Sequence, residues 1–123
     1  MAAAPVTARV SGARFILDAP TGFNRASLLS AVEIPLSNIT AVDRSADPMA
    51  DVRGWRTGIG LPHLWMGTWR HDGQCDYVAV RAEMPGLVLH VVDERFARII
   101  ISVADPASLA EQIESGRDES PQH

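Results

Sequence analysis

Alternation of apolar and polar positions recurs in short segments of this chain up to residue 103, and a helical period follows residue 105. Val10, Phe15 and Leu17 mark a first strand over residues 9–19, with Ser11-Gly12 as a bulge or tight turn. Pro20 and Gly22 punctuate the chain, and residues 23–31 read either as a short helical turn or as a strand start. Val32, Ile34 and Leu36 then share one face. Pro35 falls on the other face and cannot donate to a ladder, so a strand ends there or lies at an edge. Residues 39–42 resume as strand. Residues 43–51 are polar around Pro48 and read as a surface loop.

The second half is more regular. Strands are expected over 64–71, 74–82, 87–92 and 97–103. Asp72-Gly73 is a hairpin signal and Pro85-Gly86 a type II turn signal, and Asp93-Glu94-Arg95 makes a third polar turn. Four strands joined by short turns predict an antiparallel meander. Asp105 then caps a helix, with Pro106 at its first position and Leu109, Ala110 and Ile113 as its apolar stripe. Gly116 is expected to stop it. A sheet apolar on both faces must roll up or be covered, and a helix of about two to three turns can plug only one end. The reading is therefore mainly β with one C-terminal α-helix. Its divisions are a lead-in over 1–8, one domain over 9–115 and a polar tail over 116–123.

The stretch from Arg53 to Arg70 stands apart. It holds all three tryptophans, four of the nine glycines and three of the eleven arginines. Gly54, Gly58, Gly60 and Pro62 exclude a helix and fit a strand entry or a loop. From Leu64 onward the residues alternate: Leu64, Met66 and Thr68 on one side, Trp65, Gly67 and Trp69 on the other. One reading makes Arg53, Trp55, Arg56, Trp65, Trp69 and Arg70 a binding surface, with guanidinium groups over indole faces. The other makes this a core strand with arginines at its solvated ends.

Composition narrows the class. A chain of 123 residues with 46% hydrophobic residues fits one globular domain. Net charge is −4, and every basic side chain other than histidine is arginine. Scattered arginines on an acidic chain exclude a nucleic-acid tract and a polybasic membrane patch. Their use without lysine points to a GC-rich coding bias. Cys75 is alone, so no internal disulfide forms and no disulfide-linked partner is expected. No run approaches the ~20 apolar residues of a membrane span. Residues 1–6 are not expected to form a signal peptide, and a cytoplasmic location follows as the expectation.

Candidate chemistry is sparse. His71, Cys75 and Asp76 flank one hairpin turn, but no further ligand stands at a metal-site spacing. Asp43, Asp47 and Asp51 lack the glycine and closing glutamate of a calcium loop. Gly58 and Gly60 lack the third glycine of a dinucleotide fingerprint, and Ser27, Ser30 and Ser37 lie in no nucleophile elbow. His90 sits mid-strand and reads as outward-facing or paired. No cofactor, no metal and no catalytic function is expected.

Three local patterns resemble bacterial pleckstrin-homology-like (PH-like) domains. The first is residues 32–42, VEIPLSNITAV, similar to the second strand of those domains. The second is Gly58 to Pro62 followed by Gly67-Thr68-Trp69-Arg70 and the strands after it. The third is residues 99–113, a last strand entering Asp-Pro and a closing helix. The resemblance implies a split barrel of about seven antiparallel strands, capped by the helix. It also implies a module for protein binding or self-association, not an enzyme. A small-molecule or lipid-binding barrel with Trp65 or Trp69 in its cavity is the alternative. Phosphoinositide-binding relatives use basic residues in an early hairpin. Here that region offers only Arg9, Arg14 and Arg25.

Overall fold

Phe15, Leu17 and Ile34 are fully buried, and they set the small sheet of this molecule. The computed structural model describes residues 5–18, 32–52 and 54–119. Strands β1 (Thr7–Ser11) and β2 (Arg14–Asp18) form a hairpin, and β3 (Val32–Pro35) pairs antiparallel with β2. The single strand read over 9–19 is thus two. Gly12, at φ 60, makes the turn between them. Pro35 does end an edge strand, as its missing N–H requires. A short 3-10 turn, Leu36–Asn38, leads into the next strand, and the Leu36 amide donates to the Ala13 carbonyl. The ambiguous segment 23–31 lies outside the described residues.

Six strands form the second sheet: β4 (Ile39–Ser45), β5 (Trp55–Leu61), β6 (Leu64–His71), β7 (Gln74–Arg81), β8 (Gly86–Val91) and β9 (Arg98–Ser102). Their order is β4-β8-β9-β7-β6-β5. Asp72 and Gly73 both take positive φ, 49° and 79°, as a type I′ turn demands, so the β6–β7 hairpin is formed as read.

The expected meander is not formed. β9 inserts between β7 and β8, antiparallel to β8 and parallel to β7. The reason lies in its sequence. Ile99, Ile100 and Ile101 are all fully buried, so both faces of β9 need cover. A meander would leave this strand at an edge. Gly86 changes role accordingly. It is no turn residue but the first residue of β8, where the Ile101 carbonyl passes too close for any side chain. The β7–β8 turn instead uses Glu83 at φ 62.

The two sheets share one buried cluster with the helix α1 (Pro106–Glu119). Asp105 caps it as expected, its Oδ1 accepting from the Ser108 amide at 3.1 Å. Leu109 and Ile113 are buried, and the helix packs against β1, the 3-10 turn, β4 and β8. It does not stop at Gly116. There the helix meets Leu36 so closely that a Cβ would lie 2.4 Å from its Cδ1. The glycine permits close approach and does not terminate the helix. The described residues thus form nine strands in two sheets, neither closed into a barrel, where about seven antiparallel strands were expected.

Candidate functional site

The alternation along β6 decides what each of its side chains can do. Met66 and Leu64 join the cluster between the sheets, while Trp65 and Trp69 turn to the opposite face of the large sheet. There Trp69 is buried among Val78, Val80, Val88 and Ile100. Trp65 is half-buried at the rim of that patch, its ring 6.0 Å from that of Trp69. Gly67, between them, pairs with Gly58 of β5, so two strands cross beneath the indoles without side chains. The two readings of the tryptophans therefore divide. Trp69 is core, and Trp65 is core on one side and surface on the other.

Of the three arginines, Arg70 alone has a described side chain, and it does not lie over these rings. Arg70 is exposed and, by the strand alternation, points to the face opposite Trp69. Trp55 and Arg56 lie on β5 opposite Arg70 and Trp69, and their side chains fall outside the described residues, as does Arg53. A cation–π contact forms elsewhere, with the Arg95 guanidinium 4.9 Å from the Phe96 ring centre.

A short segment covers the outer patch. The 3-10 turn Pro48–Asp51 brings Met49, with Val52 after it, onto the patch. A buried polar latch holds this segment. Arg98 donates through Nε and Nη2 to Asp76 Oδ2 at 3.0 and 2.7 Å, and through Nη2 to the Asp51 carbonyl at 3.2 Å. Ser45 Oγ donates to Asp51 Oδ2 at 2.6 Å. The Arg98 and Asp76 side chains are 13% and 4% exposed. At that depth, removing one partner costs about 3–5 kcal/mol, because the other charge stays buried. The sequence carried a signal for it: Arg98 heads a run of three isoleucines, and a charge on a central strand needs a partner.

The other singled-out side chains are dispersed. His71 pairs with Asp72 at 3.1 Å, and Cys75 and Asp76, consecutive on β7, face opposite sides of the sheet. His90 pairs with Asp43 at 2.9 Å. Asp43 and Asp51 are thus engaged separately, and they do not converge with Asp47. Among the described residues, no group of three or more His, Cys, Asp or Glu is placed to hold a metal ion. No described helix is long and apolar enough to cross a membrane. Tyr77 is fully buried, its ring edge-on to Phe96 at 5.5 Å. Burial, and secondarily the Asp18 charge, push its phenol from its ordinary 10.0 to about 12.

Two grooves flank α1. One of about 620 Å³ separates it from β4, lined by Val42, Asp43, Arg44, Ala110, Glu111 and Glu114 among others. A second of about 290 Å³ lies toward β1. Neither includes Trp65 or Trp69. Comparison with known protein families, with curated proteins and with solved structures gives no match for this chain.

Proposed function

We propose that this chain is a non-catalytic binding or assembly module of the PH-like kind, acting through contact with a protein partner or with itself. The observation that carries this reading is the free margin of the large sheet at β5. Among the described residues β5 pairs with β6 alone, leaving one side of its backbone unpaired. Such an edge is a template for a further strand. Beside it Leu61 is 47% exposed and Trp65 half-buried, and exposed aromatic and apolar anchors are what association surfaces favour. The narrower PH-like likeness rests on the three sequence patterns and on a β-rich chain that ends in a helix packed against its core.

Light scattering across a concentration series tests the reading. The expected result is self-association, or a stable complex with a partner that co-purifies from the native source, weakened at least tenfold by Leu61→Glu. A chain that stays monomeric at the highest concentration, and that purifies without companions, overturns it.

A further inference from the structure

Away from the cluster shared by the two sheets, the large sheet buries a second patch made of Trp69, Val78, Val80, Val88 and Ile100. Among the described residues, its cover from outside the sheet is one strap, residues 46–52, which lays Met49 and Val52 on the patch. The strap's own backbone bonds close within it. The Ala50 amide donates to the Asp47 carbonyl at 3.0 Å, and the Val52 amide to the Met49 carbonyl at 3.3 Å. Two anchors tie it down. Pro48 is buried against Gly86, where an added Cβ would lie 2.9 Å from the proline Cγ. Asp51 accepts from the Ser45 hydroxyl through its carboxylate and from the Arg98 guanidinium through its carbonyl. Along the β8–β9 ladder, Gly86 pairs with Ser102, Val88 with Ile100, and His90 with Arg98. The anchors therefore bracket the Val88–Ile100 pair, and the strap crosses over it.

We infer that residues 46–52 are a hinged cover, which opens as a unit while the sheet beneath stays folded. Three features carry this. A segment outside the ladders, held by a few apolar side chains, opens at lower free energy than the strands it covers. Its release orphans no buried charge. Arg98 keeps both of its bonds to Asp76, which join β9 to β7 inside the sheet, and water takes the place of Arg98 and Ser45 at Asp51. The patch, for its part, keeps its shape, because ladder pairing on both sides fixes β7, β8 and β9. The chain then has two forms, one with the face around Trp69 covered and one with it bare.

Amide exchange on the native chain tests this. Protection at Ala50 and Val52 should be at least tenfold below that at Ile99, Ile100 and Ile101, and insensitive to mild denaturant. Ile113→Ala weakens the cluster on the other side of the sheet, so it should quicken the β9 amides and leave those two unchanged. Val88→Cys, in a chain that also carries Cys75→Ser, reports on the patch itself. Circular dichroism checks its fold. The introduced thiol should be protected from an aromatic disulfide reagent at least tenfold less than the β9 amides are from exchange. If Ala50 and Val52 quicken together with the β9 amides in Ile113→Ala, the strap opens only when the chain unfolds, and the inference fails. It fails equally if the introduced thiol is as well protected as the β9 amides.

Discussion

Tyr77 shows how a single atom can sit at odds with its surroundings. Its ring packs edge-on to Phe96 in the core, but its hydroxyl has no hydrogen-bond partner among the described residues. A buried hydroxyl left unpaired costs about 1–3 kcal/mol. Tyr77→Phe keeps the ring and removes the oxygen, so chemical denaturation should find the variant as stable as the native chain or up to about 1 kcal/mol more stable. The pH profile gives a second readout. Below pH 10 the phenol is neutral in the folded and unfolded chain alike. Between pH 10 and about 12 the unfolded chain ionises while the folded one keeps its proton, so native stability falls as pH rises through that window. The phenylalanine variant should lack this decline, and a variant that kept it, or lost more than about 1 kcal/mol, would refute the account. At this scale the sequence was legible where neighbours along the strand decide the outcome. The opposed faces of Trp65 and Met66 follow from alternation alone. The Arg98–Asp76 pair does not, because its members are 22 residues apart and meet only once β9 lies beside β7.

Between elements, the deciding distances are those from backbone to backbone. β5, with its two glycines, read only as a strand entry or loop, while the other strands of the large sheet were visible as strands, for the period of two is local. The order of the strands was not. Short turns favour neighbours in sequence, and that preference pointed to a meander; burial of both faces of β9 outweighed it. Gly86 records the outcome. Its residue pair across the ladder is Ser102, and the carbonyl of Ile101 occupies the place of a side chain. A Cβ there would lie 1.8 Å from that oxygen, and a carbonyl held in a central ladder has little freedom to move aside. Gly86→Ala should therefore destabilise the chain by more than about 3 kcal/mol, beyond the usual range for a single substitution. Amide exchange should quicken first along β8 and β9. An alanine variant of native stability would mean that β8 and β9 lie farther apart than described.

Across the whole molecule, the helix and both sheets meet in one buried cluster. The small sheet connects to the large one through Leu36–Asn38, and both bury side chains against α1. The C-terminal helix and its buried stripe were readable in the sequence from the amphipathic spacing of Leu109 and Ile113. The absence of barrel closure was not readable, since it depends on where β1 and β5 end in space. This geometry makes one prediction about cooperativity. Ile113 is fully buried in a cluster that also holds Phe15 and Leu17 of β2 and Ile99 and Ile101 of β9. Ile113→Ala removes three carbons from that shared space and should cost about 2–5 kcal/mol. Because one cluster serves both sheets, the loss should be global: the slowest-exchanging amides of β2 and β9 should speed up by the same factor. With the β9 amides unchanged and only those of β2 faster, the two sheets would be separate cooperative units, and the helix would stabilise the smaller one alone.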